Sequence, residues 1–369
     1  MTAPYVKSLV EKIGTSADGS SQARLTAELA CYWARVGEFD EAERLRLELR
    51  SVFGDGRDIR VSILIMCIEG LLLYFRELSP NAFDRLARAR LLSVASGDRE
   101  LIALTSAWLA HLHFNGNNYV EMADAIGSCI KTLDSSNLPA MCRVTMLLAD
   151  AHLYSGDSSV AQVWYDCART GALKLGDQAF VGALTYNRSA LRVFLARLNS
   201  ADTKQTEDHI RLLSGEVQSA INYQSVARLR SLDHLLATSK IGVLMLQGSY
   251  AAAQTEINAL LATAEVRPAS AQSTILKADL ALCLGESGAV AKSTELINEL
   301  LSLQINQYEA GDQILIYTSL SAACKACGAG ERVPPVDSAL IGALADHRAQ
   351  ASAIALLLVP FRAVSILSS

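Results

Sequence analysis

Two cysteines near the end of the sequence have a spacing that could support redox or metal chemistry. Cys324 and Cys327 are separated by two residues, as in a redox pair or in half of a zinc site. A structural zinc site needs four ligands, but no second cysteine pair follows and His347 stands alone. The βαβ pattern of a thioredoxin-like domain is absent from the sequence. We favour two reduced helix cysteines, with redox sensitivity and metal binding as the alternatives.

Three histidines, His111, His113 and His152, could bind a metal or transfer protons near neutral pH. His113 and His152 occupy equivalent places in a repeated helical pattern, where Trp33 stands in the first copy. Repetition at a packing position favours a structural role for these two. His111 falls on another face of its helix, so ligand contact stays open for it.

No other catalytic motif occurs: nucleophile elbow, phosphate loop, HExxH motif and dinucleotide fingerprint are all missing. The Gly-Asp-Gly run at 54–56 lacks the Lys and Ser or Thr that complete a phosphate loop. Asp40 and Glu41 open a helix, where the macrodipole favours carboxylates, and Arg44 adds a surface pair. We therefore expect no enzymatic activity, no cofactor and no metal.

Composition and charge narrow the class of protein further. Hydrophobic residues make up 51% of the 369 residues, alanine and leucine dominate, and only seven prolines occur, which favours helices over strands. A net charge of −5 without a basic block excludes charge-driven binding of nucleic acid. The first residues lack the features of a signal peptide, and the apolar stretch from Val61 to Phe75 contains Glu69 and is too short to span a membrane. We expect a cytoplasmic protein that contacts neither nucleic acid nor membrane directly.

The elements that position these residues belong to a repeat. An apolar helix, a short turn with glycine and a second helix recur, with turns at Gly37, Gly116, Gly156, Gly248, Gly288 and Gly328. Several of these turns are about 40 residues apart, a period that predicts a solenoid of about eight helix–turn–helix repeats. Two wider gaps each contain a turn without glycine. One lies at 77–80, where Ser79 is the predicted N-cap and Pro80 the first helical residue. The other lies at 199–202, where about 12 residues are inserted relative to the period.

One copy of the pattern places a small residue, an aromatic, a glycine, an aromatic and an alanine in order, at Ala30, Trp33, Gly37, Phe39 and Ala42. This order resembles the tetratricopeptide repeat, and parts of it return at Ala149, Gly156, Ala161, Gly248, Tyr250 and Ala253. The resemblance covers residues 20 to 345 and implies an all-α, right-handed solenoid with a concave binding wall. The repeats are longer than the usual unit of about 34 residues. In that respect they are similar to the sensor superhelices of large bacterial LuxR-type activators and of peptide-pheromone receptors.

The pattern predicts three segments. Residues 1–18 form an N-terminal helix, residues 19–348 form the solenoid with a break near 198–225, and residues 349–369 form a C-terminal helix rich in apolar residues. That last helix either caps the solenoid or forms an interface, in a homo-oligomer or a larger complex. A further alternative is that the natural protein continues beyond it.

The resemblance also assigns groove positions on the inner helices, namely Arg24, Arg35, His111, Asn115, Arg143, Asp150, Tyr154, Asn187, Arg188 and Arg192. Arginine and asparagine can hold the backbone and carboxylates of an extended peptide, while tyrosine offers a flat contact surface. The same residues could equally be ordinary solvated side chains. In later repeats the groove positions are Leu235, Met245 and Leu246, which favour a hydrophobic partner helix or an intramolecular contact.

The resemblance leaves two functions open. The first is a scaffold or regulatory module that binds a protein or peptide partner on its concave face. The alternative is a small-ligand sensor domain of a bacterial signalling or transcription regulator, with a closed pocket between the fifth and sixth repeats. An enzyme is the third and least supported function.

Overall fold

The computed structural model describes residues 3–77, 79, 81–201, 205–231, 233–263 and 270–363. Within these ranges the regular structure is helical and no strand occurs, which confirms the all-α prediction. The α-helices of the described ranges are α1 (Pro4–Thr15), α2 (Gly19–Val36), α3 (Phe39–Phe53), α4 (Ile59–Glu77), α5 (Asn81–Ser96), α6 (Arg99–Asn115), α7 (Tyr119–Thr132), α8 (Leu138–Tyr154), α9 (Ser158–Leu175), α10 (Gln178–Ser200), α11 (Glu207–Ala227), α12 (Asp233–Leu246), α13 (Tyr250–Leu261), α14 (Ala271–Glu286), α15 (Val290–Leu301), α16 (Ala310–Ala326) and α17 (Val333–Leu357).

Helix ends fall at every turn that the repeat predicts, with an even-numbered helix before each turn from α2 to α16. At the turn without glycine at 77–80, the backbone N–H of Asn81 donates to Ser79 Oγ at 3.3 Å. Pro80, predicted to open this helix, lies outside the described residues, as does Asp202 of the other such turn. The helices flanking that second turn, α10 and α11, have 23 and 21 residues. Part of the insertion therefore lengthens the helices themselves.

Helix α2 illustrates how the local sequence sets the ends and the packing of these helices. The carboxylate of Asp18 accepts a hydrogen bond from the backbone N–H of Ser21 at 2.9 Å, which satisfies a donor that the first turn leaves open. Gly37 ends the helix in the left-handed conformation, with φ of 89°. Ala30 on α2 and Ala42 on α3 are fully buried, and their small side chains let the two helices approach closely.

The described helices fall into two compact units. The first unit takes residues 1–187, 223–232 and 354–369, and the second takes residues 188–222 and 233–353. The first division lies inside α10, ahead of the break predicted near 198–225. Helix α17 runs from Val333 to Leu357, so residue 349, the predicted start of a separate C-terminal helix, lies within it.

Within the first unit, consecutive even-numbered helices pack side by side, α2 on α4, α4 on α6 and α6 on α8. Each of them also packs against the odd-numbered helix that follows it, and α1 packs on α2. In the second unit α12 packs on α13, α13 on α14, and α14 on both α15 and α16. Neighbours in sequence are thus neighbours in space, and α2, α4, α6 and α8 contact one another in succession as a row.

The C-terminal segment belongs to the core of the first unit. Ile354 and Leu358 are fully buried there. The backbone carbonyl of Phe361 accepts hydrogen bonds from Trp164 Nε1 at 3.1 Å and from His152 Nε2 at 3.3 Å. Two long-range hydrogen bonds and the burial of two apolar side chains therefore hold this segment against the first unit. His152, the repeat equivalent of Trp33, is buried.

The turn after α2 is also pinned by a distant part of the first unit. The backbone N–H of Arg230 donates to the Val36 carbonyl at 3.0 Å, and Ser231 Oγ donates to the Arg35 carbonyl at 2.6 Å. A Cβ atom on Gly37 would lie only 2.9 Å from the backbone nitrogen of Ser231. The absence of a side chain at Gly37 therefore permits both the left-handed turn and this close approach.

We expect Gly37→Ala to destabilise the first unit more than the same change at Gly156. Both glycines have positive φ, 89° and 92°, so either alanine bears a conformational cost of roughly 1–2 kcal/mol. Only at position 37 does the new Cβ also meet a backbone atom, which should add about 1–3 kcal/mol because the 230–231 segment has to move. Urea unfolding of the two variants measures the difference, and equal losses would contradict the packing argument.

Candidate ligand-binding cavity

The first unit contains a cavity of about 380 Å³ on the row of even-numbered helices. One face of each helix lines it, as the positions on α4 illustrate: Arg60, Leu64, Cys67 and Leu71 recur at helical spacing. Further walls come from α1, α2, α6, α8 and the start of α10. The apolar part of the lining includes six leucines, so the cavity offers chiefly hydrocarbon surface.

The rim of the cavity is charged and its interior is buried. At the rim, the side chains of Arg24, Arg60 and Glu100 are 36%, 29% and 65% exposed. In the interior, Trp108 and Arg143 are 3% and 6% exposed. A molecule that enters would therefore pass polar groups and leave water as it moves inward.

The rim arginines are already paired with carboxylates. Arg60 lies 2.5 Å from Asp98 and 2.6 Å from Glu100. Arg24 lies 3.8 Å from Asp58. These pairs neutralise the rim, and their exposure to water makes each of them weak.

Inside the cavity, Arg35 forms a close ion pair with Asp177, with Nη1 2.6 Å from Oδ2. Asp177 also caps α10, because its other carboxylate oxygen accepts the backbone N–H of Phe180 at 3.0 Å. The pair joins α2 to the start of α10 within the first unit. Both oxygens of Asp177 are therefore engaged, and its charge is compensated by Arg35.

A second acidic group of the cavity, Glu28, is held by a tyrosine. The hydroxyl of Tyr5 on α1 donates to the Glu28 carboxylate. Burial raises the pKa of Glu28 above its usual value, and burial also raises the pKa of Tyr5. Helix α1 thus lines one side of the cavity with Tyr5, which binds Glu28 through a hydrogen bond and contributes no charged group.

Arg143 is the exception, because it is buried without a partner. Its guanidinium carbon lies 3.2 Å from the centre of the Trp108 ring and 5.8 Å from that of Phe180. Among the described residues it has no hydrogen-bond acceptor and no carboxylate at ion-pair distance, and its Nε is buried and unsatisfied. Burial, followed by the charge of Arg35, lowers the pKa of Arg143 to about 9, so it remains cationic at neutral pH. Arg143 is therefore the one arginine of the cavity lining that no carboxylate pairs with among the described residues.

Three of the predicted groove residues, Arg24, Arg35 and Arg143, thus come together at one cavity. His111 and Asn115 lie beside this cavity, since the ring of His111 is 6.3 Å from that of Trp108. Asn115 Nδ2 donates to the Tyr74 hydroxyl at 2.7 Å, and that hydroxyl lies 3.2 Å from His111 Nε2. Burial lowers the pKa of His111 to about 3. His111 is therefore neutral at physiological pH.

Asp150 and Asn187 form a third group with Tyr165. The Tyr165 hydroxyl donates to Asp150 Oδ1 at 2.6 Å, and Asn187 Nδ2 donates to Oδ2 at 3.1 Å. Burial raises the pKa of Asp150 to about 7, although both hydrogen bonds act in the opposite direction. This carboxyl group is internal to the protein, in contrast to its predicted place in a solvated groove.

The raised pKa of Asp150 leads to a pH prediction. The folded state holds this proton more tightly than the unfolded chain does, so its contribution to stability is complete below about pH 4 and is lost as the pH rises through about 7. We expect the free energy of unfolding of Asp150→Asn, minus that of the wild type, to rise by about 2–3 kcal/mol between pH 5 and pH 8. Denaturant titrations at both values measure this difference. A difference that does not change with pH would refute the assignment.

The remaining predicted groove residues are Tyr154, Arg188 and Arg192. Tyr154 packs in an aromatic cluster, with its ring 6.0 Å from Phe114 and 6.3 Å from Tyr119. Arg188 and Arg192 belong to the second unit, where Arg192 pairs with Glu216. Within the first unit, His111, Arg143 and Asp150 are buried and so are not part of a solvated surface.

The residues first considered for chemistry occupy structural settings. Cys324 is buried in α16, Cys327 follows its last residue, and both thiols are free. The ring of His113 packs edge-on against Phe83, at 5.0 Å. In the part of the chain that the structure describes, no three His, Cys, Asp or Glu side chains are grouped as metal ligands.

A second cavity, of about 370 Å³, lies in the second unit beside the predicted insertion. Arg197, Met245, Leu246 and Ser319 are among its lining residues. Arg197 is paired with the fully buried Asp279 at 2.7 Å, so this cavity differs from the first in having its interior arginine neutralised. Leu235, the third apolar groove position, lies half-buried on α12.

Sequence reasoning missed Trp108, Phe180 and Asp177. Trp108 precedes His111 and Asn115 on the same face of α6, so helical spacing could have included it. Asp177 directly follows Gly176 at a helix start, a capping signal that could have been recognised. Arg35 and Asp177 form an ion pair although they are far apart in sequence, and no local sequence pattern predicts such a pair.

No known protein family matches the sequence, and no curated protein matches it either. Among the described helices, none is long and apolar enough to cross a membrane.

Proposed function

We propose that this chain is a small-ligand-binding protein, a sensor or regulatory module, built on a tetratricopeptide-type solenoid. The solenoid is supported by the continuous row of even-numbered helices in the first unit, each backed by the odd-numbered helix after it. Such a row supplies one shared wall to which every repeat contributes one helix face. The ligand site is the cavity on that row.

The observation that carries the proposal is the unpartnered Arg143 inside a cavity of about 380 Å³. Burying a charge without a partner costs free energy, so it is a poor choice for a purely structural core. The volume falls within the range of small-molecule sites, about 300–1,000 Å³. Apolar walls with a few converging polar groups are also typical of such sites.

A thermal-unfolding screen of the full chain tests this function. The library should contain neutral, cationic and anionic small molecules, because a ligand that binds only the folded state raises the unfolding temperature. The cavity-filling variant Leu104→Trp should lose the shift, whereas Leu91→Trp, at an exposed site on α5, should keep it. The proposal fails if no compound stabilises the wild type, or if every shift persists in Leu104→Trp.

Peptide binding is the second candidate, and the charged rim favours it. Arg24 is partly exposed and only loosely paired with Asp58, so an acidic side chain of a bound peptide could compete for it. Peptides selected from a random display library should then bind Arg24→Gln more weakly than the wild type. Arg50→Gln, an exposed arginine on α3, is the matched control. Selection without enrichment, or equal losses in both variants, would exclude this candidate.

A further inference from the structure

The ion pairs of the cavity single out one arginine as the group that a ligand can pair with. Arg35 is paired with Asp177, Arg60 with Asp98 and Glu100, and Arg24 with Asp58. Glu28 is held by the Tyr5 hydroxyl and has no arginine partner. Among the four arginines of the lining, only Arg143 lacks a carboxylate at ion-pair distance among the described residues. A neutral ligand would leave the charge of Arg143 unpaired. A dianion would bring a second negative charge into an interior that already contains Asp177 and Glu28.

The surroundings of Arg143 also limit how the anion can approach. The Trp108 ring covers one face of the guanidinium group at 3.2 Å. The N–H groups point outward in the plane of the guanidinium, and none of them donates to another described residue. A carboxylate reaches such a group edge-on and accepts two parallel hydrogen bonds, while the stacked ring stays in place.

The rest of the lining describes the body of the ligand. Leu64, Leu71 and Leu104 come from α4 and α6, and Phe180 adds an aromatic surface. Hydrophobic burial would drive an apolar body into this space, because there it leaves water. The charged rim offers no comparable apolar surface for such a body.

We propose that the cavity binds a small organic monoanion, with one carboxylate on an apolar body, and that Arg143 pairs with the carboxylate. This inference rests on the small-ligand function proposed above and adds the ligand class to it. Arg143 is the residue that sets specificity, because it alone distinguishes a carboxylate from a neutral group of the same shape.

Calorimetric titration of the full chain with matched probes tests the ligand class. The probes are phenylbutanoate and octanoate, the amide of each, and octyl phosphate. We expect each amide to bind at least about 30-fold more weakly than its carboxylate, because it leaves a buried charge unpaired. Octyl phosphate should bind more weakly than octanoate at a pH where it is a dianion. Arg143→Met should abolish the preference for carboxylates, and Arg50→Gln should retain it.

The outcomes separate this inference from the function on which it rests. Equal binding of carboxylate and amide to the wild type, a preference that survives in Arg143→Met, or no binding of either carboxylate would overturn the ligand class. If neutral or cationic compounds then bind in a manner that Leu104→Trp abolishes, the small-ligand function stands and only the class is wrong. If compounds of every charge fail, both proposals fall.

Discussion

Replacing Arg143 with methionine is expected to stabilise the first unit by about 1–3 kcal/mol while it removes binding. Arg143 is 6% exposed and its guanidinium group has no hydrogen-bond or ion-pair partner among the described residues, so folding moves a charge largely out of water without a counter-charge. Stacking of the guanidinium group on Trp108 offsets roughly 2 kcal/mol of this desolvation free energy. Methionine has similar length and no charge, and it can pack against the same ring.

Guanidinium chloride unfolding followed by tryptophan fluorescence measures this effect. Trp33, Trp108 and Trp164 all belong to the first unit, so the signal reports that unit. The control is Arg143→Lys, which keeps the charge but loses the flat stacking surface and should be less stable than the wild type. A loss of stability in Arg143→Met would mean that Arg143 serves the fold and not a ligand.

The helices and turns could be predicted from the sequence because their signals are local. A turn glycine such as Gly37, a cap such as Ser79 and apolar residues at helical spacing act within one or two turns of helix. The same logic located turns that lack glycine. Local signals did not predict the extent of α17. A new helix was predicted to start at residue 349, whereas α17 runs through that position to Leu357 because the apolar pattern continues without a break.

The cavity could not be predicted in the same way, because its properties depend on pairs of distant residues. The repeat pattern assigned both Arg35 and Arg143 to the groove and gave no reason to distinguish their charges. The structure separates them: Asp177, from the start of α10, neutralises Arg35 and leaves Arg143 alone. Asp150 shows the same limit, since Tyr165 and Asn187 enclose a side chain that the pattern assigned to a solvated wall.

Replacing Arg35 with methionine should therefore have the opposite effect to the same change at Arg143. The variant leaves Asp177 buried beside the cavity without its cation, which should destabilise the first unit by about 3–5 kcal/mol. Asp177→Asn alone keeps the helix cap but leaves Arg35 unpaired, so it should be destabilising too. The double variant Arg35→Met/Asp177→Asn contains neither charge and should recover most of the loss.

Unfolding of the four proteins in this cycle yields the coupling energy between Arg35 and Asp177. A large coupling would establish that Asp177 is committed to Arg35 and is unavailable to Arg143, which is the condition for an uncompensated charge in the cavity. If the two single losses simply add in the double variant, the pair is not a unit. Asp177 could then pair with either arginine. Arg143 would no longer need an anionic ligand to compensate its charge.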